Sequence, residues 1–118
     1  MFMKKYDNLY CKIFIDMQCE RDELLSLIAD TVNGRKTLFR TIESDCFEVD
    51  VNENEEFYSK KKDDSFLYYK FFLDVEPCSG VDEDKYIEQV SKLLQYFVSQ
   101  KINIVPACDF EEELLISK

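Results

Sequence analysis

The chain has 118 residues, of which 25 are Asp or Glu and 15 are Lys or Arg, so its formal net charge is −10. It contains no histidine and only two glycines, which excludes a histidine proton shuttle and a glycine-rich phosphate loop. Its length fits one domain, and its 46% content of hydrophobic residues is enough to fill one core. Such an acidic protein is better suited to binding a basic partner than to catalysis, and we expect no enzymatic activity.

The sequence pattern also predicts where the protein works. No apolar run approaches the roughly 20 residues that cross a bilayer, and residues 1–7 lack the apolar stretch of a signal peptide. The five cysteines are widely spaced and include no Cys-x-x-Cys pair, which favours free thiols in a reducing compartment. Cys11 lies in an alternating apolar pattern and is interpreted as a small buried hydrophobe. We therefore expect a soluble cytoplasmic protein that binds no membrane.

The first half of the chain predicts two strands and one helix. Residues 9–17 alternate between apolar and polar side chains, which is typical of a strand with one buried face. Residues 20–33 change to helical spacing, carry acidic side chains in the first turn and end at Gly34, a natural helix stop. Residues 37–42 are apolar enough for a strand, although their pattern is weak. Residues 46–52 alternate clearly and predict the second strand.

The second half predicts a long connection, a strand, a helix and a final strand. Residues 52–65 are polar and contain two charge runs, which indicates a flexible hairpin connection. Alternation resumes over residues 67–76 and predicts the third strand. Residues 82–100 place apolar side chains on one helical stripe behind an acidic first turn and predict the second helix. We expect residues 102–107 to form a short last strand and residues 109–118 to form an acidic tail.

The order of these elements is strand, helix, strand, strand, helix, strand. Right-handed crossovers place the third strand between the first and the second. The result is a four-stranded antiparallel sheet with both helices on one face, which is the ferredoxin-like arrangement. The sequence therefore predicts one α+β domain with the ferredoxin-like βαββαβ fold over residues 1–118.

A partner-binding surface is expected on the sheet face that the helices leave uncovered. That face would carry four aromatic and four acidic side chains, namely Tyr10, Phe14, Tyr68, Phe72, Asp16, Glu48, Asp50 and Asp74. Aromatic rings supply contact area and carboxylates supply steering and selectivity, so the combination favours binding of a basic protein. The alternatives are aromatic pairing that only stabilises the sheet, and burial of this face in a homodimer.

Other sites are disfavoured by the residues themselves. Residues 50–61 begin like a calcium loop, but Glu55 stands where a glycine is required and Lys61 replaces the closing glutamate. The lysine run at residues 60–62 is too short, and too closely surrounded by acids, for nucleic-acid binding. No pair of carboxylates has a companion nucleophile or oxyanion donor. We therefore expect no metal, no cofactor, no catalytic residues and no direct contact with nucleic acid.

The last third of the chain resembles a known family. The segments Leu73-Asp74-Val75-Glu76-Pro77, Asp84-Lys85-Tyr86-Ile87 and Ala107-Cys108-Asp109-Phe110-Glu111-Glu112-Glu113-Leu114 look like those of small bacterial proteins. Those proteins end in an Ala-Cys-Asp-Phe-Glu-(Asp/Glu)-Glu-Leu pattern and resemble immunity proteins of polymorphic-toxin and contact-dependent growth inhibition systems. The resemblance implies a cytoplasmic protein that binds one cognate toxin domain and blocks its active site. Many such toxins are nucleases with basic clefts, which the charge of −10 fits independently.

Three regions are candidates for that contact. The first is the aromatic and acidic sheet face, and the others are the loop at residues 53–64 and the C-terminal segment with Asp109 and Glu111. The alternative for the C-terminal segment is structural, with Asp109 capping a short helix whose Phe110 and Leu114 pack inward. The alternative function is a ferredoxin-like regulatory or adaptor module that acts as a homodimer.

Overall fold

The computed structural model describes residues 6–38, 40–59 and 65–114. Its strands and helices follow in the order β1 Cys11–Asp16, α1 Arg21–Val32, β2 Arg35–Leu38, β3 Thr41–Glu43, β4 Phe47–Glu53, β5 Phe71–Pro77, α2 Glu83–Ser99 and β6 Asn103–Ala107. Three short 3-10 turns cover Glu55–Tyr58, Phe66–Tyr68 and Glu111–Glu113. Among the described residues, neither helix combines the length and the apolar character needed to cross a membrane.

The strands form one antiparallel sheet in the order β2-β3-β4-β5-β1-β6. The α+β class with two helices is confirmed, and β5 lies between β1 and β4 as expected for the third predicted strand. The predicted four-stranded ferredoxin-like sheet is wrong, because the sheet has six strands. The additional hairpin is β2 and β3, which occupies the region where residues 37–42 carry only a weak pattern. Strands of four and three residues are too short to show a clear alternation.

The core lies between one face of the sheet and the two helices. The alternating side chains of β1, β4 and β5 that point to this face are fully or almost fully buried: Cys11, Ile13, Ile15, Phe47, Val49, Val51, Phe71, Leu73 and Val75. They pack in one cluster with the apolar faces of α1 and α2, which also contact each other. Both helices therefore cover the same side of the sheet, and the other side, which we call the open face, is covered within the described residues only where the Phe66–Tyr68 turn contacts β1.

Helix α1 buries Leu24, Leu25 and Ile28 and ends at Val32, two residues before the predicted stop at Gly34. Asn33, with φ 54°, is the left-handed residue that closes the helix. Gly34 serves a different purpose, because a Cβ atom there would lie 2.7 Å from the backbone oxygen of Glu43. The glycine is needed where the chain leaving α1 passes close to β3.

Helix α2 begins as the sequence predicts. The Asp82 carboxylate accepts a hydrogen bond from the backbone N–H of Lys85 at 3.3 Å. The predicted apolar stripe is confirmed, since its members Tyr86, Val90, Leu93, Leu94 and Phe97 are all fully buried. The Tyr86 hydroxyl donates to the carbonyl oxygens of Leu9 at 2.6 Å and Val75 at 3.3 Å. This side chain fastens the helix to the start of β1 and to β5.

The connection between β4 and β5 differs from the prediction. Strand β5 begins at Phe71, and Phe66–Tyr68 forms a 3-10 turn in place of the expected first part of the strand. The reason is the buried side chain of Asn54, whose amide nitrogen donates to the carbonyl oxygens of Leu67 at 2.9 Å and Tyr69 at 2.8 Å. These carbonyl groups are thereby held by a side chain. Residues 60–64 of the predicted flexible connection lie outside the described residues.

The last elements close the edge of the domain. Strand β6 is an edge strand, which accommodates Pro106 opposite Ile13 because an edge needs fewer backbone donors. Beyond it, Phe110 and Leu114 are buried as the structural alternative predicts. The proposed cap at Asp109 is wrong, because the short turn starts after Phe110 and has no side-chain cap. Residues 115–118 of the predicted tail lie outside the described residues.

Candidate functional site

The open face of the sheet carries three rows of side chains that run across the strands. Residues on one face of a strand repeat every second position, so successive rows lie about 7 Å apart. The first two rows are mainly acidic, and the third is mainly aromatic. We call the five carboxylates of the first two rows, Glu43, Glu48, Asp50, Asp74 and Glu76, the acidic ladder.

The first row brings three carboxylates side by side. Glu48 of β4 lies directly opposite Glu43 of β3 on one side and Glu76 of β5 on the other. Glu43 is paired with Arg35, whose Nη2 atom lies 2.6 Å from Oε1. Glu48 and Glu76 are exposed, and neither forms an ion pair with any described residue. Two neighbouring carboxylates are therefore left without a cation, an arrangement that is destabilising in a sheet.

The second row places Asp50 opposite Asp74 and satisfies both with neutral donors. The Thr41 hydroxyl donates to Asp50 Oδ1 at 2.6 Å, and the Asn52 amide donates to Asp74 Oδ2 at 2.9 Å. The Tyr10 hydroxyl also donates to Asp74. Neutral donors fix the positions of these carboxylates and leave their negative charges in place.

The Tyr10 hydroxyl is a hydrogen-bond donor that orients Asp74 in this network. Burial raises the pKa of Tyr10 above its ordinary value, and the hydrogen bond to Asp74 raises this pKa further. The phenol therefore stays protonated at neutral pH and keeps its role as a donor. Asp74 receives two bonds from side chains on different segments, so its orientation on the face is fixed.

The third row is aromatic and is contacted by Lys12, the cation of the second row. Phe14 lies opposite Phe72, with ring centroids 6.2 Å apart. Lys12 is opposite Asp74 in the register, but its Nζ atom lies over the Phe72 ring, 4.3 Å from the centroid. Phe66 covers Phe14 edge-on at 5.1 Å, and Phe14 is only 7% exposed. Phe14 therefore supports the surface from below, while Phe72 is half-buried and contributes contact area.

One margin of the face is an open depression of about 530 Å³. Its lining includes Arg21 and Arg40 together with Glu53, Glu55 and Glu56. The charges here are mixed, which distinguishes this margin from the acidic ladder. The Glu48–Glu76 pair lies at the opposite end of the strands.

The structure brings together most, but not all, of the predicted contact residues. The open face carries Tyr10, Phe14, Glu48, Asp50, Phe72 and Asp74, of which Phe14 is covered by Phe66. Asp16 lies on the same face at the end of β1, opposite Asn103 of β6. Their predicted role in binding stays a prediction.

The remaining predicted contact residues lie elsewhere. Tyr68 belongs to a 3-10 turn and is not a strand residue, so its expected place on the sheet is wrong. Asp109 and Glu111 are exposed but flank Phe110, whose ring packs against Tyr86 of α2 on the helix-bearing side. They are therefore not part of the open sheet face. Lys12 is not among the contact residues predicted from the sequence. Its position two residues before Phe14 in the alternating strand pattern places it on the same face.

The acidic face has no recognisable metal centre. Within residues 6–38, 40–59 and 65–114, no group of three or more Cys, Asp or Glu side chains is arranged to hold a metal ion. Comparisons of the chain with protein-family models, curated proteins and solved structures gave no match. The geometry of the open face is thus the basis for assigning a function.

Proposed function

We propose that this protein is an immunity-type inhibitor that binds a basic toxin domain, such as a nuclease, through its open sheet face. The observation that carries the proposal is the pairing of Glu48 with Glu76, two exposed carboxylates on adjacent strands that form no ion pair with any residue that the structure describes. By occupying a positively charged cleft, such a face blocks the active site of the toxin. The resemblance of the C-terminal third to immunity proteins points in the same direction.

Electrostatics and contact area support the same kind of partner. A lysine or arginine placed between Glu48 and Glu76 would relieve their repulsion. Binding of a basic surface would therefore replace a destabilising interaction of the free sheet with attractive ones. The neighbouring Asp50 and Asp74 extend the negative surface by one row. Phe72 adds aromatic area beside them, which favours a protein partner over a small ion.

Self-association through this face is the less favourable alternative. Two copies that met face to face would bring one acidic ladder onto another, which costs free energy at a net charge of −10 per chain. A regulatory or adaptor homodimer would therefore need another surface, such as the edge strands β2 and β6. We also propose that β6-β1-β5-β4 is a ferredoxin-like unit extended by the β2–β3 hairpin, because these four strands keep the expected order.

The proposal assigns no chemistry to the protein itself. It requires no cofactor, no metal and no catalytic residue, because inhibition needs only occupation of the toxin's cleft. It also places the protein in the cytoplasm, where an incoming toxin domain would act.

Co-expression with a toxin tests the proposal directly. If the reading frame next to the gene encodes a toxin-like domain, that domain would be expressed alone and with this protein, and growth would be measured. We expect growth to be restored, and we expect binding of the purified pair to weaken as salt is raised.

A Glu48→Lys/Glu76→Lys variant should lose protection. The control Asp30→Lys/Glu88→Lys has the same net charge but is altered on the exposed surfaces of the helices, and it should still protect. Equal loss in both variants would refute the assignment of the sheet face.

A further inference from the structure

Two of the five cysteines face each other across neighbouring strands. In the antiparallel pairing of β1 with β6, Lys12 lies opposite Ala107, so Cys11 and Cys108 occupy the next pair of positions. Cys11 is fully buried, whereas Cys108 is half-buried at the end of β6. The register therefore brings together two free thiols that are 97 positions apart in the chain, one inside the core and one within reach of solvent.

The two thiols interact directly. The interaction between the Cys11 and Cys108 side chains raises the pKa of Cys11 and lowers the pKa of Cys108. The nearby backbone N–H of Phe110 also lowers the pKa of Cys108, against the opposing effects of burial and of the carboxylates of Glu111 and Asp109. A thiolate is the reactive form of cysteine, so the more accessible thiol is also the more nucleophilic one.

We propose that Cys11 and Cys108 form a redox modification site that hydrogen peroxide converts to a reversible intramolecular disulfide. The Cys108 thiolate attacks one peroxide oxygen, the O–O bond breaks, and water leaves once the departing oxygen is protonated. The resulting sulfenic acid on Cys108 is then attacked by the sulfur of Cys11. The S–S bond forms and a second water carries away the Cys11 proton. Two thiols are oxidised and one peroxide is reduced to two waters, and a thiol reductant reverses the modification.

The disulfide would lie where the C-terminal segment joins the sheet. Cys108 lies two residues before Phe110, which is buried against Tyr6 and Tyr86. A covalent link from β1 would fix the edge strand β6 and this anchored segment to the centre of the sheet. The link closes a loop that includes most of the chain, so it restricts the unfolded state and stabilises the folded one.

A second cysteine pair supplies an internal control. Cys46 and Cys78 occupy the positions next to the Phe47–Pro77 pair of β4 and β5, and the Cys78 N–H donates to the Cys46 carbonyl at 2.9 Å. The Cys78 thiol, however, is directed to the carbonyl oxygen of Ser44 at 3.5 Å. Burial raises the pKa of Cys78. This pair has a similar register relationship but lacks an activated thiolate, and we expect it to react more slowly.

Peroxide titration of the full-length protein tests the proposal. The reduced protein would be treated with hydrogen peroxide, quenched with N-ethylmaleimide, digested without reductant and analysed by mass spectrometry. We expect a Cys11–Cys108 linked peptide as the first product, and an increase of about 10 °C in the unfolding midpoint that dithiothreitol reverses. The Cys46→Ser/Cys78→Ser variant should behave like the wild type. The Cys108→Ser variant should form no linked peptide and show no increase.

Three other outcomes would contradict the proposal. A Cys46–Cys78 peptide that forms equally fast would show that register alone, and not the activated Cys108, directs oxidation. Linked dimers as the main product would show that the two thiols do not react within one chain. A midpoint that rises in Cys108→Ser as much as in the wild type would assign the stabilisation to another modification.

Discussion

Glu48→Lys should stabilise the free protein, although it replaces a residue that we assign to the binding surface. Glu48 is exposed at the middle of the first row and lies opposite Glu43 and Glu76. A lysine at this position replaces two repulsive cross-strand pairs with two attractive ones. Lys and Glu have similar strand propensities, so the change in charge is expected to dominate.

The size of the effect follows from these two pairs. A cross-strand charge pair contributes roughly 0.2–1 kcal/mol, and exposed pairs fall in the lower part of this range. Arg35 already lies 2.6 Å from Glu43, so the new lysine gains mainly from Glu76. We therefore expect the free energy of unfolding to rise by about 0.5–1 kcal/mol, which corresponds to an increase of about 2–4 °C in the unfolding midpoint.

Urea denaturation at low salt, with a double-mutant cycle, measures this effect. Glu48→Lys, Glu76→Gln and the double variant would be compared with the wild type. The gain from Glu48→Lys should shrink when Glu76 is neutral, and it should also shrink at high salt. The reasoning is refuted if Glu48→Lys destabilises the protein, or if its gain is the same in the Glu76→Gln background.

Three further predictions concern the structure that supports the face. Phe110→Ala should lower the free energy of unfolding by about 3–5 kcal/mol, because it leaves a cavity at a fully buried ring, and urea denaturation would detect this loss. Asn54→Ala should cost about 2 kcal/mol in the same assay, since the carbonyl oxygens of Leu67 and Tyr69 lose their donor, the buried Asn54 side chain; a cost below about 0.5 kcal/mol would contradict this role. Burial raises the pKa of Tyr86 above 10, so its contribution to stability is complete below pH 10 and declines as the unfolded state ionises above pH 10. Denaturation between pH 9 and 11, with tyrosinate absorbance, should show this decline in the wild type and a smaller decline in Tyr86→Phe.

The elements with a long, regular period could be predicted from the sequence. Helix α2 has a complete apolar stripe and an acidic first turn, and both signals agree with its packing on the sheet. Strands β1, β4 and β5 each bury one alternating set of side chains, so their patterns revealed the open face as well. The shared face of Tyr10, Phe72 and Asp74 follows from this alternation alone.

The remaining features depend on contacts that no local pattern contains. The β2–β3 hairpin is short and extends the sheet only because β3 finds an edge on β4. Tyr68 fits the alternation that precedes β5, yet the distant side chain of Asn54 holds the neighbouring backbone in a turn. The pairing of Cys11 with Cys108 requires the register between the first and the last strand. Each of these features depends on a contact between residues far apart in the chain, and the periodicity of side chains along a single sequence does not reveal such contacts.

In the acidic ladder the requirements of folding and the observed residues disagree, because other residues would make the sheet more stable. On its other face the described sheet buries apolar side chains in register, and within the ladder Asp50 and Asp74 lie opposite each other but are supplied with neutral donors. At Glu48 and Glu76 a single lysine would improve the isolated domain, and the chain instead carries two adjacent carboxylates. Residues that lower the stability of the fold are expected at functional sites. The basic partner that we propose would resolve the disagreement, because it would provide in the complex the cations that Glu48 and Glu76 lack among the described residues.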